Sequence, residues 1–176
     1  LPAGFLDDGL PFGITCFADA FSDRALLNLA ARFAGATLPV PAECVPIVAC
    51  GAHMSGLPLN GQLTERGARL RARTRTAPHY RFYALPGGPP KRPGLVRVAH
   101  GGAAIEVEVW DVPRSEVGGF LELIPAPLGL GRVELGDGSR LPGFLCEAYA
   151  VAGAEDITAL GGWRGYVARL AAGTTP

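Results

Sequence analysis

The sequence predicts an α+β fold, a small barrel-like sheet with few helices, and three observations predict it. Short β-like runs recur between Gly and Pro turns such as "GGPPKRPG" and "GDGS". Only a few intervals carry the 3.6-residue apolar period of a helix, and no tract repeats or is of low complexity. With 176 residues the chain can bury about two-thirds of its unfolded surface in one ordinary domain and a small appendage.

The elements follow in order. Leu10 to Phe17 reads as a short strand after the turn-rich opening "LPAGFLDDG". A helix follows in "FSDRALLNLAARFAG": Ser22 is a suitable N-cap, Asp23 suits the first turn, and Gly35 stops it. Leu26, Leu29, Ala30 and Phe33 share one face, and so short a piece offers nothing to cover it. "GATLPVPAECVP", Gly35 to Pro46, has no periodicity and reads as a linker, so residues 1–35, 36–46 and 47–176 are expected to be a tail, a connection and a domain. Because the chain starts at Leu1 in the middle of such a tail, it is expected to be a fragment of a longer polypeptide.

Strands are expected at Ile47–Ala52, Tyr80–Leu85, Leu95–Ala99, Ala104–Trp110, Arg132–Leu135 and Phe144–Val151. Helices are expected at Pro113–Ile124 and Trp163–Ala171. In "AIEVEVW", Ile105, Val107 and Val109 alternate with Glu106, Glu108 and Trp110, and the second set reads as a solvated face. Two carboxylates so spaced lie about 6.5–7 Å apart along a strand, near the separation of an inverting glycosidase, but spacing alone is weak evidence. Glu147 stands in an apolar strand, where it either points into a cavity or pairs with an arginine.

Charge and cysteine usage exclude several classes. Sixteen basic and sixteen acidic side chains cancel, so nothing argues for nucleic acid or an anionic membrane. Every apolar run is far shorter than the roughly 20 residues of a membrane span. "RGARLRARTRTAPHYR", Arg66 to Arg81, is locally basic, and is either a solvated strand and loop or an anion-attracting rim. Cys16, Cys44, Cys50 and Cys146 form no CxxC pair and no metal-ligand spacing, so free thiols, a cytoplasmic setting, and neither metal nor cofactor are expected.

The stretch "CGAHMSGLPLNGQL" carries the candidate chemistry. Gly51 and Gly56 have the spacing of a phosphate loop, but Leu57 stands where its lysine belongs. A nucleophile elbow is excluded as well, since His53 rather than glycine precedes Ser55 by two. What remains is a loop whose amides can form an oxyanion nest and whose imidazole can exchange a proton near neutrality. The plain alternative is that His53 hydrogen-bonds a backbone carbonyl. His79 and His100 sit in loop or strand-edge positions with little to recommend them.

Six blocks in order, "GAHMSGLPLNGQLTERGARL", "TRTAPHYRFYALPG", "PKRPGLVRV", "GGAAIEVEVW", "IPAPLGLG" and "GFLCEAYAVAGAEDITALGGWRGYVA", resemble the C-terminal domain of allophanate hydrolase over about Ile47 to Leu170. The opening segment resembles the last strand and helix of an amidase-signature domain. The resemblance implies a γ-glutamylcyclotransferase-like fold and an enzyme that converts allophanate to ammonia and carbon dioxide. An amidase Ser-Ser-Lys triad, absent here, removes the first ammonia, and a histidine of the C-terminal domain assists decarboxylation of N-carboxycarbamate.

Carried onto this chain, the resemblance makes His53 the catalytic residue. It places Gly51, Ala52, Ser55, Gly56, Asn60, Tyr80 and Arg81 around a small dicarboxylate-like substrate. The implied partners are the amidase domain of the same polypeptide and, as an admitted form, a second copy in a homodimer. The cyclotransferase acid has no counterpart, because Ile124 or Pro125 occupies its place and Glu122 is out of register. A non-catalytic module that orders the amidase is the rival reading.

Overall fold

The computed structural model describes residues 2–19, 22–36, 43–88 and 90–173. It has the α+β architecture that the sequence predicts, with sheets of two, three and five strands and few helices. The opening segment is a hairpin of β1 (Pro2–Phe5) and β2 (Pro11–Gly13), followed by α1 (Asp23–Phe33). Leu10–Phe17 is strand at Pro11–Gly13, where it pairs with Pro2–Phe5 across a turn at Leu6–Leu10. Ser22 stands at the N-cap of α1 without a side-chain cap bond, and Gly35, at φ +63°, ends the helix. Leu29 and Phe33 on the apolar face are 50% and 52% exposed, uncovered as anticipated.

The main sheet runs in the order β4 (Arg69–Arg75), β7 (Glu106–Pro113), β3 (Cys44–Ala49), β9 (Arg140–Cys146) and β8 (Leu128–Glu134). All its neighbours are antiparallel except β3 and β9, which meet in parallel at Val48 and Gly143. This central strand starts at Cys44, three residues before the anticipated start at Ile47 and within the expected linker, and so has Pro46 inside it; residues 37–42 of that linker lie outside the described residues. The proline is tolerated because the ladder to β9 begins only at Val48, so the missing N–H faces no acceptor there.

The outer strands β4 and β8 meet at one end. A bridge joins Thr76 to Leu135, and Ala77 and Gly136 donate to the carbonyls of Glu134 and Arg75. The sheet is thus barrel-like at that end without a continuous closed ladder. Thr76 is buried there, accepting from the Ile105 amide at 3.0 Å and donating to the Ala77 carbonyl at 2.9 Å.

A second sheet orders β10 (Glu155–Asp156), β5 (Tyr80–Ala84) and β6 (Pro93–Arg97). Its inner residues Tyr80, Phe82 and Leu95 pack into the core formed by Ile47, Val48, Val107 and Val109 of the main sheet. The C-terminal helix α4 (Trp163–Ala171) closes the core with Trp163 edge-on to Phe82, ring centroids 6.3 Å apart. Each fully buried aliphatic or aromatic side chain contributes about 1.5–3 kcal/mol of transfer energy.

Further boundaries and one strand face differ from the pattern reading. Phe144–Val151 is strand only to Cys146, after which Ala148–Val151 turns as a 3-10 helix and leaves Glu147 exposed. Pro113–Ile124 is helical in two short pieces, a 3-10 turn at Arg114–Glu116 and α3 (Val117–Leu121). Strand β7 is buried on both faces: Glu108 and Trp110, expected on a solvated side, are 0% and 4% exposed.

Candidate functional site

Strand β3 ends at Ala49, and the chain turns through the loop Gly51–Gly56 into α2 (Gly61–Thr64). The turn is tight. Met54 and Leu57 donate to the carbonyls of Gly51 and Met54, and Gly56 sits at φ +76°, a left-handed conformation that suits glycine. At Gly51 a Cβ would lie 2.4 Å from Cγ of Pro93, so the absence of a side chain lets β6 pack directly on the start of the loop.

His53 is fixed from four sides. Its Nε2 lies 2.8 Å from Oε1 of Gln62, so Nε2 carries the hydrogen and Nδ1 is left to take up a second proton. Gln62 owes its place to α2, whose Leu63 is buried in the core. The imidazole stacks on Phe144 of β9, centroids 4.9 Å apart at 19°, and meets the edge of Phe120 of α3 at 5.3 Å and 82°. Asn60 donates to the His53 carbonyl at 2.9 Å. Burial pulls the His53 pKa below its ordinary value, and the Gln62 bond only partly opposes this. The imidazole is neutral at pH 7.

The ring lines a cavity of about 410 Å³ between β3, the β5–β6 connection and the segment after α3. Gly51, Ala52 and His53 contribute to its wall, and among the described residues the Ala52 and His53 amides have no acceptor. Among the described residues Arg92 is the one guanidinium there; it also donates to the Ala126 carbonyl at 3.5 Å. No carboxylate lines the cavity among the described residues. Ile124 and Pro125 are on the wall where the cyclotransferase pattern places its acid. Cys50 is there too, but burial pushes its thiol up to about 12 and keeps it a protonated, unreactive group.

The remaining anticipated residues lie elsewhere. Tyr80 is wholly buried in the core, its Oη accepting from the Glu134 amide at 2.8 Å. Arg81 turns away to the Gly101 carbonyl at 3.2 Å and to Asp156 at 3.5 Å. The strand alternation that puts Phe82 inside explains both: Arg81 must point out, and Tyr80 must point in. Asn60 and Gly56 shape the loop without lining the cavity. Ser55 faces Glu108 rather than the cavity, so its amide and that of Met54 are already engaged and are not free to hold an anion. Arg92 was missed because it lies in the turn "GGPPKRPG", where composition signals only a loop.

Fold and site define a class: a mixed α+β domain of γ-glutamylcyclotransferase-like fold with a glycine-bounded loop after the strand at the centre of its main sheet. The family described as allophanate hydrolase C-terminal domain matches residues 45–168, and the chain belongs to that family. Urea amidolyase of Saccharomyces cerevisiae is 38% identical over 97% of this chain and 11% of its own length. The solved allophanate hydrolase of Kluyveromyces lactis is 37% identical with a TM-score of 0.76, over 97% of this chain and 32% of that one. A uropathogenic Escherichia coli protein, c4763, is 33% identical with a TM-score of 0.67, over 72% of this chain and 97% of its own. The chain thus spans about 11% of the length of the curated relatives it matches.

Proposed function

We propose that this chain carries the module of an allophanate hydrolase that assists decarboxylation of N-carboxycarbamate, the product of the amidase step. One observation carries the reading: His53 is held on the wall of a cavity that contains a guanidinium, Arg92, and, among the described residues, no carboxylate. Such a wall suits a small dianion, and Arg92 takes the anion-holding part that the resemblance implied for Arg81.

The chemistry needs one proton in one place. When the C–N bond to a carboxylate breaks, carbon dioxide leaves and the electron pair stays on nitrogen, which takes a proton as carbamate forms. His53 as imidazolium supplies it. Burial favours the neutral ring, and a dianion beside it raises its affinity for a proton, so protonation is coupled to substrate binding. The amides of Ala52 and His53, which have no acceptor among the described residues, orient the remaining carboxylate together with Arg92.

A second feature supports placement beside an amidase domain in one polypeptide. Phe5, Phe17 and Phe33 are 75%, 90% and 52% exposed, and they belong to the segment that resembles an amidase tail. Coverage of 97% of c4763 by 72% of this chain supports the division into a tail and a domain.

The test is made in a full-length polypeptide bearing an amidase domain ahead of this chain. With His53→Asn, ammonia release from the amidase step is retained while carbon dioxide release slows. Equal slowing of both, or of neither, overturns the reading. Malonate, a stable dicarboxylate of similar shape, is expected to bind this chain against His53 and to bind Arg92→Ala more weakly.

A further inference from the structure

The main sheet buries a charge that the proposed chemistry does not use. Glu108 is wholly inaccessible, yet it receives the Ser55 amide at 2.6 Å, the Ser55 hydroxyl at 2.5 Å, the Trp110 indole at 3.1 Å, Arg164 at 3.0 Å and Arg73 at 3.3 Å. Arg164, from α4, also donates to the Ser55 carbonyl at 2.8 Å and pairs with Glu106 at 3.3 Å. The amide, hydroxyl and carbonyl of Ser55 are therefore all tied to this one network.

A buried ion pair is a poor route to stability, since an apolar replacement of equal volume serves as well or better. It does fix direction, because each oxygen and donor has one orientation that satisfies it. Ser55 is two residues from His53 in the loop whose other end, Gly51, is seated on Pro93.

We propose that Glu108 is a positioning residue that sets the Gly51–Gly56 loop, and with it the His53 ring and the cavity wall, through Ser55. Arg164 completes the clamp and makes the seating of α4 part of the same geometry. The inference rests on the reading of the cavity for what the loop does, and on geometry alone for how the loop is held.

The test uses this chain with Glu108→Gln, Ser55→Ala and Ser55→Thr, and reads the NMR titration of the His53 ring, malonate affinity and thermal stability. Ser55→Ala and Glu108→Gln are expected to move the His53 midpoint upward, toward the exposed value near 6.5, and to weaken malonate about tenfold. Ser55→Thr keeps the hydroxyl and is expected to keep both. Variants that melt earlier while the His53 midpoint and malonate affinity stay unchanged overturn the proposal. Should Glu108→Gln fail to fold, Ser55→Ala decides. Failure of the unaltered chain to bind malonate sinks the dicarboxylate reading, and the His53 titration in Ser55→Ala still decides positioning.

Discussion

The imidazole of His53 lies against the ring of Phe144, 4.9 Å between centroids and 19° from parallel, so a loop residue is stacked on strand β9 of the main sheet. The contact explains how a glycine-bounded loop holds one ring orientation. It removes one face of the imidazole from water while Gln62 satisfies Nε2.

Replacing Phe144 with Leu keeps most of the buried volume and removes the stack. A loss of about 1 kcal/mol in urea unfolding is expected, along with a His53 midpoint shifted toward the exposed value. An unchanged midpoint would show that Gln62 alone orients the ring.

The pH dependence follows from the direction of the His53 shift. The folded pKa lies below the ordinary 6.5, so between the two values the unfolded chain binds the proton and the folded chain does not. Stability attributable to this residue is complete above 6.5 and falls as pH drops through that value toward the folded pKa. His53→Asn is expected to lose less stability than the unaltered chain between pH 7.5 and pH 5.5 in parallel urea titrations.

Gly143 is where β3 and β9 cross most closely. A Cβ there would meet Cβ of Val48 at 2.6 Å and Cγ2 of Val133 at 2.9 Å, neither of them a flexible tip. Gly143→Ala is expected to cost about 1–3 kcal/mol by overpacking. Thermal unfolding against Gly129→Ala, a position with open space around it, gives the comparison.

Cys50 and Cys16 differ in access and chemistry. Cys16 is exposed, whereas Cys50 is buried with its thiol pushed up to about 12. Iodoacetamide at pH 8 is expected to label Cys16 in the folded chain and Cys50 only after unfolding, as read by peptide mass spectrometry. Prompt labelling of Cys50 would show that the cavity wall opens.

How far the sequence speaks depends on range. Local patterns marked β5, β7, α1, α4 and the loop after β3, because alternation, caps and glycines act within a few residues. They placed His53 in a turn after a strand and excluded a phosphate loop. They misjudged Glu108, because strand alternation tells which residues share a face but not whether that face is covered. Tyr80 and Arg81 lie away from the cavity wall for a related reason: neighbouring positions on β5 point to opposite sides. Arg92 lay in a turn with no periodic signal, and its role depends on the segment after α3 folding across from it.

By itself the sequence determined the class of fold, the place of His53 in a glycine-bounded loop after a strand, and the family to which the chain belongs, since these follow from local patterning and ordered blocks of residues. Tertiary structure alone decided which groups meet. The pairing of β3 with β7 and β9 brings Glu108 under Ser55 and Phe144 against His53, residues 53 and 91 positions apart. Contacts of that range arise from sheet order, which depends on how all the apolar faces are buried together and leaves no mark on any short stretch of chain.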